Sequence, residues 1–141
     1  MSAEENKTIA RRNFEAAWNQ GDMDVVDEIY AATYVNNDPA NPGVSGPAGQ
    51  KQLIGMYRAA FPDTTFTIEA QVAEGDQVVT RWTARGTHQG ELMGMAATNK
   101  EITITGITID RIAGGKITES WSNWDTIGMM QQLGVVPSPG G

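Results

Sequence analysis

The chain of 141 residues contains no cysteine, one histidine and few basic residues. Without cysteine it has no disulfide framework, no thiolate metal ligand and no cysteine nucleophile. A single histidine excludes a multi-histidine metal site, so any histidine chemistry depends on His88. The 10 lysines and arginines stand against 17 aspartates and glutamates, for a net charge of -7. This balance argues against a nucleic-acid partner, because a phosphate backbone needs a basic face.

Long apolar segments are missing as well. No run approaches the roughly 20 residues that span a membrane, and the N-terminus lacks the basic start and apolar run of a signal peptide. We therefore expect a cytoplasmic protein without a membrane partner. Hydrophobic residues make up 40% and charged residues 19% of the chain, which is typical of a folded protein. No linker or repeat divides it, so residues 1–141 are predicted to form one domain.

The first third of the chain has helical periodicity. Ser2 and Glu5 have the spacing of a capping box, and apolar residues then recur along one helical face. A second, short helix is predicted after Asp22, which is a good N-cap residue. Residues 36–47 are rich in asparagine, proline and glycine and predict a long loop before a third helix.

In the remainder of the chain, apolar and polar residues alternate with a period of two. This pattern predicts strands over residues 65–74, 77–88, 101–112 and 117–124, followed by a short helix over 126–133. Helices first and antiparallel strands next are the order of an α+β fold. We predict a cone-shaped α+β barrel, in which a curved antiparallel sheet wraps against the N-terminal helices around an interior pocket.

The last strand carries the strongest candidate residues. Glu119, Trp121, Asn123 and Asp125 are two apart and share one face. Such a face suits a pocket, with Trp121 as apolar wall and Asn123 as a polar contact. Asp125 would be the acid/base, because burial raises the pKa of a carboxyl group and allows proton exchange near neutral pH. It is also placed to cap the last helix, and the motif favours neither role.

Further candidates come from the other strands and loops. His88 ends the second predicted strand and can donate to a carbonyl oxygen, although a lone histidine there is commonly a surface residue. Trp82 shares the strand face of His88 and would line the pocket. Asn36 and Asn37 either donate amide hydrogen bonds into the pocket or shape the turn. Met93 lies in a methionine-rich stretch that would form an apolar flap or fill the core.

Four stretches occur in an order and spacing that resemble a known family, and together they span roughly residues 9 to 134. They are Tyr34–Pro39, Gly46–Gly49 with Ala60–Asp63, Arg81–Gly94, and Trp121–Gly134. In these stretches the chain resembles the SnoaL-like polyketide cyclases of the nuclear-transport-factor-2-like superfamily. It departs from the family at Asn37, where histidine is frequent, and in the loop at residues 95–100, where prolines are frequent.

The resemblance implies an α+β barrel that cyclises a polyketide by intramolecular aldol condensation, with neither cofactor nor metal. The ligand would be an apolar or aromatic small molecule. Asp125 would be the general acid/base and His88 a pocket histidine near the substrate. We also expect a homodimer or higher homo-oligomer formed through the outer face of the sheet, where Val79 interrupts polar side chains.

Two alternatives stay open. An epoxide hydrolase on this fold would need two carboxylates and an arginine converging on one water. Asp110 and Arg111 are adjacent in a strand and face opposite ways, which leaves Arg81 as the arginine. A non-catalytic binding module would instead hold an apolar ligand in the pocket and use Asp125 only as a helix cap.

Overall fold

The computed structural model describes residues 2–136. The helices are α1 (Ala3–Arg12), α2 (Met23–Ile29), α3 (Gly46–Ala60) and α4 (Thr126–Leu133), and a π-helical stretch, Asn13–Trp18, continues α1. The strands are β1 (Tyr30–Asn37), β2 (Thr65–Glu74), β3 (Gln77–Thr87), β4 (Glu101–Ala113) and β5 (Lys116–Trp124). None of the helices within the described range is long and apolar enough to cross a membrane.

The strands form one sheet in the order β1-β5-β4-β3-β2. Neighbouring strands run antiparallel, except that β1 lies parallel to β5 at the edge of the sheet. Helices α1, α2 and α3 pack against the sheet, with α4 on β4. The predicted α+β fold with a curved sheet wrapped against helices is confirmed.

Helix termini follow the sequence signals. Ser2 accepts from the Glu5 amide at 3.1 Å and donates its own amide to the Glu5 carboxylate at 3.2 Å, so the predicted capping box is present. Asp22 caps α2 by accepting from the amides of Asp24 and Val25. Capping side chains satisfy amides that have no partner inside a helix, which fixes where these helices begin.

Strand β1 was not predicted. Tyr30 continues the helical spacing of α2, and Asn36 and Asn37 read as turn residues, yet residues 30–37 pair with β5. The long loop therefore begins two residues later than predicted. Because β1 pairs with a strand about 80 residues further along the chain, local sequence carries little signal for it.

A β-bulge in β5 decides which side chains face the helices. Arg111 pairs with Glu119 and Ile112 pairs with Ile117, so Thr118 is the extra residue. An extra residue reverses the alternation of side chains beyond it. The inner face of β5 therefore carries Ile117 and then Ser120, Ser122 and Trp124, whereas Glu119, Trp121, Asn123 and Asp125 lie on the outer side. The predicted pocket face of this strand is the wrong one.

Candidate functional site

The inner face of the sheet and the helices that cover it enclose a cavity. The space between the lining side chains, including the open mouth of the cavity, is about 840 Å³. One wall is aromatic, formed by Phe14, Trp18, Phe66 and Trp82, whose neighbouring ring centroids are 5.0 to 6.5 Å apart. Trp82 thus lies where the sequence predicted it. Such a wall favours a flat, apolar ligand.

Asp110 lies at the buried end of the cavity, on the inner face of β4. It is 1% exposed, and its carboxyl group accepts a hydrogen bond from the hydroxyl of Ser120. Its second oxygen, Oδ2, has no hydrogen-bond partner in the described part of the chain. Burial raises the pKa of Asp110 to about 6, because desolvation disfavours the charged form, and the Ser120 hydroxyl offsets part of this rise. The cavity therefore contains a carboxyl group that titrates near neutral pH.

A chain of hydrogen bonds runs along the same end of the cavity. The amide nitrogen of Asn36 donates to Gln50 at 3.1 Å, and Gln50 donates to the Tyr30 hydroxyl at 3.3 Å. Tyr30 donates in turn to Asn13, in the π-helical stretch, at 2.6 Å. Burial raises the pKa of the Tyr30 and Tyr34 hydroxyls, so both remain neutral. This chain fixes the side chain of Asn36 in the cavity wall, where its amide donates to Gln50 rather than into the cavity.

A second carboxylate, Asp38, ties the loop after β1 to the sheet. It accepts from the indole of Trp124 at 3.1 Å, from the side chain of Asn41 at 3.0 Å and from the backbone of Ala40 at 2.9 Å. Tyr57 of α3 donates to Asn41 at 3.1 Å. Asp38 therefore holds Trp124 and the loop as parts of the cavity wall.

The predicted catalytic residue Asp125 lies outside the cavity. Its side chain is exposed and accepts from the amide of Gly128 at 2.8 Å, so that it caps α4. Asn123 is also exposed, and Trp121 lies under the guanidinium group of Arg111, 5.2 Å from the ring centroid. The bulge at Thr118 explains all three positions, because it turns this set of side chains away from the helices.

His88 is buried, and its ring nitrogen Nδ1 accepts from the backbone of Thr98 at 3.2 Å. Its ring packs on Phe61, with centroids 5.4 Å apart, and it does not line the cavity. It is therefore neither the predicted pocket histidine nor a surface residue; it holds the segment at residues 98–100 against the end of β3. The backbone of His88 adds two hydrogen bonds to the same segment.

The other two predicted contacts also lie elsewhere. Met93 is 59% exposed and does not line the cavity, so it neither forms a flap nor fills the core. Asn37 follows Asn36 in β1 and therefore points to the opposite face, where it donates to Glu119 at 3.0 Å. Neither residue contributes to the cavity wall.

The sequence contained a signal for Asp110 that we did not use. Ile102, Ile104, Thr108, Asp110 and Ile112 alternate along β4 on one face, and the isoleucines mark that face as buried. An aspartate in phase with a row of isoleucines has to be buried with them. The role of Asp38 had no such signal, because its partner Trp124 is 86 residues away.

Replacing Asp125 separates its cap from any other role. We expect Asp125→Ala to lower the free energy of unfolding by about 1 kcal/mol, since the bond to the Gly128 amide is lost. Asp125→Asn should leave stability nearly unchanged, because asparagine caps a helix as well as aspartate does. Chemical denaturation of the three proteins measures both effects. Equal stability of the alanine variant and the wild type would contradict the cap.

Clusters of three or more histidine, cysteine or carboxylate side chains that could hold a metal ion do not occur among residues 2–136. The polar residues that line the cavity are Asp38, Asp110 and Arg85, together with residues that carry side-chain amides, neutral hydroxyls and indole N–H groups. This set can exchange protons and donate or accept hydrogen bonds. It is a suitable set for acid/base chemistry on an apolar ligand.

The chain was compared with known proteins. The family description "SnoaL-like polyketide cyclase" matches residues 8–133. Nogalonic acid methyl ester cyclase of Streptomyces nogalater is 32% identical over 121 residues, 84% of this chain and 90% of the relative. Aklanonic acid methyl ester cyclase DnrD of Streptomyces peucetius is 31% identical over 137 residues, 94% of each protein. The solved structure of TsrD from Streptomyces laurentii has a TM-score of 0.86 at 26% identity and covers 96% of this chain and 99% of that one. The chain therefore belongs to the SnoaL-like polyketide cyclase family.

Proposed function

We propose that this protein closes a ring in a polyketide-like substrate by intramolecular aldol condensation, and that Asp110, rather than Asp125, exchanges the protons. The relatives named as cyclases support ring closure as the reaction. The cavity supports an apolar substrate held against aromatic side chains. The observation that carries the assignment is the buried carboxyl group of Asp110, with one oxygen held by Ser120 and the other without a partner in residues 2–136.

The reaction uses the carboxylate twice. Asp110 takes a proton from the carbon between two carbonyl groups of the substrate, which is unusually acidic because the resulting enolate is delocalised. The enolate carbon attacks a ketone of the same molecule, and the new carbon–carbon bond leaves an alkoxide. Asp110 returns the proton to that alkoxide, so the product is a cyclic alcohol and the carboxylate is regenerated.

Hydroxyl groups in the cavity suit the oxygen that becomes negative. The hydroxyl oxygens of Ser122 and Thr108 lie 2.9 Å apart on the inner face, and the indole N–H of Trp82 donates to the Thr108 hydroxyl at 3.0 Å. Tyr34 adds a third hydroxyl, kept neutral by its raised pKa. Hydrogen-bond donors fixed before the reaction stabilise a developing enolate without further rearrangement. The aromatic wall would hold the chain folded near its ring-closing geometry.

The pH dependence of turnover tests the assignment. With a soluble aromatic β-polyketone as substrate, we expect kcat/KM to rise about tenfold per pH unit below the Asp110 pKa of about 6 and to level off above it. The base must be ionised to accept a proton, so kcat/KM rises with pH. Asp125→Asn serves as control and should show the same profile. Constant turnover between pH 4.5 and 8 would exclude Asp110 as the base, and binding without turnover would favour the non-catalytic binding module.

The epoxide hydrolase alternative receives no support from Arg81 or Arg111, and the arginine among the lining residues of the cavity is Arg85. Arg111 lies on the outer face, where it pairs with Glu119 at 3.3 Å and with Asp76 at 3.6 Å. Arg81 is exposed on the outer face of β3. Neither guanidinium group lines the cavity that contains Asp38 and Asp110.

Two further proposals concern the setting of the protein. We propose a cytoplasmic location for the protein. We also propose self-association through the outer face of the sheet, where Ile107 is 46% exposed and Val79 is half-buried.

A further inference from the structure

Three side chains at the buried end of the cavity form a row across the sheet. Asn36 of β1 is in register with Ser120 of β5, and Ser120 is in register with Asp110 of β4. All three point inward and line the cavity. The outer members of this row are therefore two strand spacings apart, roughly 10 Å between Cα atoms, with Ser120 between them.

Each outer member has one side-chain oxygen without a hydrogen-bond partner in the part of the chain that the structure describes. Oδ2 of Asp110 and Oδ1 of Asn36 are both buried and lack a hydrogen-bond partner throughout residues 2–136. Buried polar atoms are almost always hydrogen-bonded, and an unsatisfied one is costly. Two such atoms in one row of a cavity wall indicate that the missing donor belongs to a ligand.

Three neighbouring donors already bind other groups of the protein. Ser120 donates its hydroxyl hydrogen to Asp110, Asn36 donates to Gln50, and Tyr30 donates to Asn13. None of the five ion pairs among the described residues includes Asp110, so no lysine or arginine side chain pairs with it there. The row from Asn36 to Asp110 thus presents acceptors, and one of them is a carboxyl group.

We propose that this row is a subsite for a hydroxyl group of the ligand, namely the enol or phenol hydroxyl of a β-dicarbonyl or aromatic substrate, which donates to Asp110. The proposal rests on the proposed function, because it assigns the end of the substrate that enters the cavity first. It adds that the substrate binds in its enol form, so that Asp110 removes the hydroxyl proton and yields the same enolate as removal of the proton from carbon. A carbonyl or ether oxygen at the same position would face acceptors and bind weakly.

Matched probes test the subsite by binding alone. At pH 7.5 we expect the wild-type protein to bind 2-naphthol at least tenfold more tightly than 2-methoxynaphthalene, measured by isothermal titration calorimetry. In Asp110→Asn the Ser120 hydroxyl keeps its acceptor, and the amide nitrogen presents a donor in place of Oδ2. The preference should then fall to equality or reverse in favour of the ether. Asp125→Asn is the matched control and should keep the wild-type preference.

The outcomes separate this proposal from the catalytic one. Equal affinity of both probes for the wild type, or an unchanged preference in Asp110→Asn, overturns the subsite whatever the turnover shows. A preserved naphthol preference in a protein without turnover supports the subsite and contradicts the cyclase. Circular dichroism establishes that each variant is folded. If Asp110→Asn is not, the wild-type comparison of the two probes decides alone, because equal affinity overturns the subsite and a tenfold preference supports it.

Discussion

We expect Asp110→Asn to lower kcat for ring closure by at least about 100-fold, the lower end of what general acid/base catalysis supplies. Asparagine has nearly the shape of aspartate and still accepts from Ser120, so the fold and the cavity should persist. Its amide has no basic lone pair and takes no proton from the substrate. Single-turnover measurement with a β-polyketone substrate, monitored by the absorbance of the cyclic product, gives the rate of the chemical step.

The same substitution at Asp125 provides the control. Asp125 is exposed and caps α4, and asparagine fills that role equally well. Asp125→Asn should therefore retain turnover within about twofold, a difference of under 0.5 kcal/mol in the barrier. A large loss in Asp125→Asn together with wild-type turnover in Asp110→Asn would return the catalytic role to the residue that the sequence first indicated.

We expect the stability difference between Asp110→Asn and the wild type to change by about 3 kcal/mol between pH 3.5 and pH 7. The pKa of Asp110 rises from 3.8 to about 6 on folding, and one pKa unit corresponds to about 1.36 kcal/mol. Between these two values the folded protein holds a proton that the unfolded chain has released. The contribution of Asp110 to wild-type stability therefore falls as pH rises from about 4 to about 6 and stays at its lowest above that.

In Asp110→Asn, residue 110 carries no titratable group. The variant's free energy of unfolding minus that of the wild type should accordingly become more positive by about 3 kcal/mol across the window. Urea denaturation at half-unit pH intervals measures this difference. Contributions from distant carboxyl groups cancel between the two proteins, and the pH-independent effect of the amide adds only a constant offset to the difference. A difference that stays constant with pH would show that Asp110 is not held at a raised pKa.

Catalytic and stability measurements inform one another here. A base that titrates near pH 6 is useful in catalysis because it is ionised at neutral pH and still basic enough to accept a proton. The same burial makes the folded protein less stable at neutral pH. If both predictions hold, the apparent pKa from the pH–rate profile and that from the stability curve should agree.

Local sequence signals determined the ends of helices and the alternation of the central strands. Ser2 with Glu5 and Asp22 cap helices as expected, because a capping side chain acts on amides two or three residues away. The alternation in β3 predicted its buried face, and Trp82 lies in the cavity accordingly. The motifs spread over the chain were also enough to indicate the family that residues 8–133 match.

The composition of the cavity depended on pairing between distant segments. The edge strand β1 brings Asn36 into the wall, and the bulge at Thr118 replaces Trp121 with Trp124 on the inner face. A change of one residue in register moves every following side chain to the other face. The alternating pattern of β5 alone does not show where such a change occurs.

The sequence by itself therefore determined the α+β order of elements, the helix caps and the family. Only the tertiary structure decided that Asp125 lies outside the cavity that contains Asp38 and Asp110, and that His88 holds a loop rather than lining the cavity. The physical reason is the distance along the chain over which each interaction acts. Caps and alternation act between residues close in the chain, whereas burial and the resulting pKa of Asp110 arise from side chains that folding brings together from β1, β4 and β5.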